Sequence, residues 1–183
     1  MTAPGETSAA GVTAGEGGRP LAVLVGPPGS GKSTVGELLA QRLGVDLRDT
    51  DADIVAATGE EISDIFVDRG EAAFRALECE AVRTALAEHR GVLALGGGAV
   101  LDEGNRRLLQ GQRVVFLDVD LADAARRVGL DTSRPLLLGN VRGRLKALLD
   151  ERHPLYLEVG SMTVDTSGRS PEDVADEIAK AVG

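Results

Sequence analysis

Gly26-Pro27-Pro28-Gly29-Ser30-Gly31-Lys32-Ser33-Thr34 is the stretch from which the rest of the chain can be read. It fits the pattern G-x-x-x-x-G-K-[ST] with nothing missing, and its flanks give the pattern mechanical meaning. Leu21–Val25 is an unbroken apolar run of strand length, and Val35–Leu43 carries apolar residues at helical spacing. Strand, glycine loop, helix is the setting in which this pattern grips phosphate. The glycines let the backbone turn tightly and aim its N–H groups inward. The positive end of the new helix adds to the pull on an anion. Gly29, Ser30, Gly31, Lys32, Ser33 and Thr34 are therefore expected to hold a nucleoside triphosphate. Lys32 can reach the β- and γ-phosphates, and the Ser33 hydroxyl can ligate Mg²⁺.

Working outward, 183 residues suit one domain with a sizeable core. Three Phe, one Tyr and no Trp mean that Leu, Val, Ala and Ile must build it. A single cysteine, Cys79, excludes an internal disulfide and suits a reducing compartment. The net charge of −9 argues against nucleic acid, which demands a basic stripe. Any cations that hold phosphate must be concentrated locally, and with only Lys32, Lys146 and Lys180 available as lysines, arginine supplies the rest. No apolar run approaches the roughly 20 residues of a membrane span, and Met1–Pro20 has neither the basic start nor the apolar stretch of a signal peptide. The expected organisation is a disordered tail over 1–19 and one domain over 20–183, in a cytoplasmic monomer.

Apolar runs near Leu21, Val45, Val92, Arg113 and Met162 predict five strands, with helical patterns between each pair. The long one spans about Glu71–His89, with Phe74, Leu77, Ala81, Ala85 and Leu86 on one face. Residues 129–140 have no periodicity and contain Arg134-Pro135. Ser170-Pro171-Glu172-Asp173 is a strong start for a last helix. This alternation argues for an α/β fold with a parallel sheet wrapped by helices on both faces.

Ligands in such sheets bind beyond the carboxyl ends of the strands. The second strand leads to Asp49 and Asp51, which an extended backbone would point to the same side. One could hold Mg²⁺ and the other accept a proton from an incoming hydroxyl; a solvated acidic turn is the plainer alternative. The third strand ends in Gly96-Gly97-Gly98, where backbone can approach a ligand closely. The fourth ends in Asp118, ranked below Asp49 because it lacks a second carboxylate two residues on. Arg75 and Glu78 are three apart on a helix, so the glutamate can steady the guanidinium, beside Phe66 and Phe74. Arg134, in the segment without periodicity, suits a lid that closes over phosphates.

Taken together, the phosphate loop, Asp49-Thr50-Asp51, Gly70-Glu71-x-x-Phe74-Arg75-x-x-Glu78, Leu95-Gly96-Gly97-Gly98-Ala99, Arg134-Pro135-Leu136-Leu137 and Arg152-x-Pro154-Leu155-Tyr156 resemble the shikimate kinase family in order and spacing. The resemblance runs from about Leu21 to Pro171. It implies a three-layer P-loop kinase fold, a five-stranded parallel sheet flanked by helices, with a substrate region near 50–80 and a lid near 129–140. It implies transfer of the ATP γ-phosphate to the 3-hydroxyl of shikimate, with Mg²⁺. Asp51 then resembles the acid that meets the reacting hydroxyl, and Asp49, with Ser33, the metal side. Arg75 and Arg152 resemble the pair gripping the shikimate carboxylate, with Gly97 as a backbone contact. Arg134 resembles the lid arginine, Arg169 a contact to adenine, and Arg127 added charge near the phosphates. A gluconate-type kinase would share the phosphate loop but has no need of two arginines for a carboxylate. A GTP switch would carry Asn-Lys-x-Asp, and none of the three lysines follows an Asn.

Overall fold

Ala22–Val25 (β1) is buried along its whole length, as a strand covered by helices on both faces must be. Its residues nevertheless divide by parity. Ala22 and Leu24 belong to one core cluster, and Val23 and Val25 to another, as alternating side chains require. The structure, a computed structural model, describes residues 18–129 and 140–183. Within them β1 is joined by β2 (Leu47–Asp49), β3 (Val92–Ala94), β4 (Val114–Asp118) and β5 (Met162–Asp165) in one sheet, ordered β2-β3-β1-β4-β5. All four pairings are parallel. The expected five-stranded parallel sheet is thus present, with the phosphate-loop strand at its centre.

The helices that connect these strands are α1 (Lys32–Leu43), α2 (Thr50–Thr58), α3 (Ile62–Arg69), α4 (Glu71–Glu88), α5 (Glu103–Leu109), α6 (Leu121–Val128), α7 (Val141–Val159) and α8 (Pro171–Val182). One side of the sheet is covered by α1 and α8, where Val35, Leu39, Val174 and Ile178 meet Leu24, Val115 and Leu117. The other side is covered by α4, α5 and α7, with Val82, Leu109 and Tyr156 against Val23, Leu93 and Phe116. A third cluster of Ile54, Ile65 and Phe74 ties α2 and α3 onto α4. Aliphatic packing therefore does most of the work, as so few aromatics require.

Several boundaries moved, each for a visible reason. The helix after the phosphate loop begins at Lys32 rather than Val35, because Gly31 in the left-handed region (φ 87°) is its N-cap. The buried face of α4 is Phe74, Glu78, Val82, Ala85 and Leu86, so an acid lies on the core side and Leu77 and Ala81 flank it. α7 continues through Pro154 to Val159. At the start of the described residues Arg19 donates to the Gly111 carbonyl at 2.9 Å, and Pro20 is buried. The lid segment, apart from Gly129 and Asn140, lies outside the described residues.

Leu39 is fully buried between α8 and the sheet. Leu39→Ala is expected to lower stability by about 2–5 kcal/mol in chemical denaturation. Leu108→Ala, at a position 41% exposed, should change it by less than about 0.5 kcal/mol.

Candidate active site

The chain reaches the site first at the turn between β1 and α1. Gly29 has φ 80°, and a Cβ there would lie 2.8 Å from the Ala124 carbonyl oxygen, so a side chain would be both strained and crowded. Lys32 Nζ donates to the carbonyls of Gly26 at 2.6 Å and Pro27 at 3.1 Å, folding the lysine over its own loop. Arg127, from α6, donates to the Gly29 carbonyl at 3.0 Å and to the Thr166 carbonyl at 2.9 Å. It thereby fastens the loop to the turn after β5. Beside the loop is a cavity of ≈ 610 Å³, lined by every residue from Gly29 to Val35 and by Asp49, Asp51, Gly97 and Arg169.

Asp49 and Asp51 both line that cavity, but not by the extended-chain geometry expected for them. Asp49 ends β2 and caps α2: its Oδ1 accepts from the N–H of Asp51 at 2.8 Å and of Ala52 at 3.4 Å. Asp51 already sits in the first turn of the helix. A good N-cap residue directly after a strand starts the helix there, and this overrides strand periodicity. Between the two acids, Thr50 is fully buried and its Oγ1 accepts from the Gly96 N–H at 3.1 Å. The register explains the contact, since Asp49 pairs with Ala94 and both strands end at the same level. Thr50 carried no signal in the sequence; a threonine between two aspartates looks like part of a polar turn. Asp51 lies against the same glycine, since a Cβ on Gly96 would be 2.7 Å from Asp51 Oδ1.

Against the glycine run stand two arginines. Arg75 donates through Nη1 to Glu78 Oε1 at 2.8 Å and lies over the rings of Phe74 and Phe66, 5.3 and 5.9 Å from their centroids. Glu78 is 2% exposed; burial pushes its carboxyl above the ordinary range, against the opposing pull of Arg75. Arg152, from α7, is 5% exposed. A Cβ on Gly98 would come within 2.1 Å of Arg75 Nη1, and one on Gly97 within 3.7 Å of Arg152 Nη1. The two guanidinium groups thus pack against neighbouring glycines from different helices. The Nε atoms of both are buried without a hydrogen-bond partner among the described residues. Buried donors left in that state favour a polar or anionic ligand beside them.

Arg169 lines the phosphate-side cavity and is paired with Glu177 at 2.7 Å. Asp118 does not line it. Its Oδ1 accepts from the Val119 N–H at 2.9 Å, and its Oδ2 lies 3.6 Å from His153. Arg134 lies outside the described residues. The residues that do converge on the glycine run are the phosphate loop with Asp49 and Asp51, and Arg75 with Arg152.

As to metal, a hydroxyl at Ser33 and a carboxylate at Asp49 around one cavity form a hard oxygen donor set that fits Mg²⁺. Among the described residues no group of three or more His, Cys, Asp or Glu could hold a metal by itself. That suits an ion brought in with phosphate oxygens rather than one caged by protein.

A profile described as shikimate kinase matches residues 28–183. A shikimate kinase of Thermobifida fusca is 64% identical over 162 residues, which cover 88% of this chain and 94% of the relative. One of Streptomyces coelicolor is 60% identical over 163 residues, 89% and 95% of the two chains. Among solved structures, shikimate kinase from Acinetobacter baumannii in complex with shikimate superimposes with a TM-score of 0.86 at 37% identity, over 90% of this chain and 92% of the other. This chain belongs to the shikimate kinase family.

Proposed function

We propose that the chain transfers the γ-phosphoryl group of ATP to the 3-hydroxyl of shikimate, giving shikimate 3-phosphate and ADP on the route to chorismate and the aromatic amino acids. The observation that carries this reading is the placing of two arginines, Arg152 buried and Arg75 half-buried, against the same glycine run that a complete phosphate loop reaches. Such an arrangement takes a triphosphate and a carboxylate at the same time.

In this reading the backbone N–H groups of Gly29–Thr34 surround the β- and γ-phosphates, and Lys32 leaves the loop carbonyls to meet them. Arg75 and Arg152 hold the acceptor's carboxylate in a forked grip, with the Gly97 N–H alongside. Asp51 faces the reacting hydroxyl. The hydroxyl oxygen forms a bond to the γ-phosphorus, the bond from that phosphorus to the bridging oxygen breaks, and the hydroxyl proton passes to Asp51. Ser33 and Asp49 would hold Mg²⁺, which when bound neutralises charge on the phosphate oxygens. Phosphoryl transfer requires alignment and positive charge more than covalent help from the protein. Arg134 is assigned the phosphate side from the sequence resemblance, Arg169 the base of the nucleotide. Among the described residues no helix is long and apolar enough to cross a membrane. We place the chain in the cytoplasm as a monomer that binds neither membrane nor nucleic acid.

The direct test is ADP release in a coupled assay across shikimate, gluconate and nucleoside monophosphates, with a control lacking acceptor. Shikimate alone is expected to accelerate release; no acceleration over the control would overturn the proposal. Replacing the fork by a point charge in Arg75→Lys should raise the KM for shikimate about tenfold, the scale of one charge-assisted hydrogen bond, and leave the KM for ATP unchanged. An equal rise for both substrates contradicts the assignment. Asp51→Asn should lower kcat by about 10²–10⁴-fold if Asp51 takes the proton, and a loss below about tenfold would reduce it to an alignment role. Asp118→Ala should keep the Mg²⁺ dependence of the native enzyme, whereas a lost dependence would move the metal role from Asp49 to Asp118.

A further inference from the structure

We infer that the Tyr156 hydroxyl is a positioning group for the acceptor side of the site, fixing the Gly97–Gly98 peptide so that Arg75 and Arg152 face one ligand; the acceptor's identity rests on the function proposed above. Tyr156 is 1% exposed, and its hydroxyl donates to the Gly97 carbonyl at 2.6 Å. Its ring is stacked on Phe116 of β4, centroids 5.0 Å apart and planes 22° from parallel. Phe116 is itself fully buried in the sheet, so the hydroxyl is carried at a fixed height above the strand ends. Burial pushes the phenol up to about 12, so the donor is protonated at neutral pH.

What this bond controls follows from the peptide planes of the glycine run. The Gly96 N–H is taken by Thr50 Oγ1 at 3.1 Å, and the Gly96 carbonyl by the Ala99 N–H at 3.1 Å. Those two bonds orient the peptide units on either side of Gly96. The next unit joins Gly97 to Gly98, and among the described residues the phenol is the hydrogen-bond donor to its carbonyl. Glycines on both sides of that unit leave it free to rotate once the bond is lost. Its position matters because Arg75 packs against Gly98 and Arg152 against Gly97. Tyr156 also lies one helical turn after Arg152, whose charge favours the ionised phenol against the larger effect of burial. One hydroxyl therefore links α7, the glycine run and, through Gly98, the arginine of α4.

The decisive variant is Tyr156→Phe, which keeps the stacked ring and removes only the donor. Amide hydrogen exchange at Gly96 and Ala99, whose bonded N–H groups flank this peptide, followed in the free protein, is expected to rise about 5- to 100-fold, the scale of a buried hydrogen bond left unmade. The KM for shikimate should rise about tenfold with the KM for ATP and the thermal midpoint nearly unchanged. Unchanged exchange overturns the inference, as does an equal rise in both KM values, which would indicate a merely structural role. Because exchange is read without substrate, it stands whether or not shikimate is turned over. A second measurement uses the folded native sequence. Tyr156 is the only tyrosine, so uniform 3-fluorotyrosine labels this position alone. Its ¹⁹F signal is expected to shift on adding shikimate and to stay in place on adding ADP; a shift with ADP alone overturns the inference.

Discussion

Holding two anions close together inside a chain of net charge −9 is the constraint on which the rest of this structure depends. Overall charge matters less than it first suggests, because surface charges are screened beyond about 8 Å at physiological salt. A buried cation beside an anion is another case. At about 4 Å and an effective dielectric near 20, the attraction is about 4 kcal/mol, against about 1 kcal/mol in bulk water. Local placement therefore wins over the total, and the fold concentrates Lys32, Arg75, Arg127, Arg152 and Arg169 around the strand ends. Four of them are kept in place by a partner: loop carbonyls for Lys32, Gly29 and Thr166 for Arg127, Glu177 for Arg169, Glu78 for Arg75.

Glu78 shows the compromise involved. A carboxylate that is 2% exposed is costly, and its raised affinity for protons is the sign of that cost. Since the folded state binds this proton more tightly than the unfolded chain, the contribution of this one group to stability falls as pH rises above its ordinary value of 4.5. The same acid orients Arg75 and lies within electrostatic reach of Asp51 and Arg152. It connects groups on α2, α4 and α7 that no backbone element joins, which is a reason to keep a destabilising carboxyl in a core position.

Most of the architecture was legible because it rests on local rules. The phosphate loop needs a strand before it and a helix after it, and apolar runs such as Val114–Leu117 have few other uses than inner strands. Asp49 and Asp51 could be found from position, since they follow the second strand, but not their geometry, because N-cap chemistry at Asp49 replaced the extended chain. Thr50 and the Tyr156 hydroxyl could not be found from residue type at all. Their partners are 46 and 59 residues away, and only the register of β2 on β3 and the packing of α7 bring them to the glycine run. The burial of Glu78 was hidden for a related reason: an acid on an otherwise apolar helix face reads as an interruption of the pattern, and the arginine that compensates it lies one turn back.

Acceptor recognition therefore turns on whether Arg75 and Arg152 read a carboxylate beside the glycine run that the phosphate loop also reaches. Steady-state phosphorylation of shikimate compared with its carboxamide, which keeps the ring and the hydroxyls but not the charge, measures this most directly. The carboxamide is expected to lose about 10²-fold or more in kcat/KM, the scale of two charge-assisted hydrogen bonds, while the KM for ATP stays the same. Comparable kcat/KM for the two acceptors would contradict it.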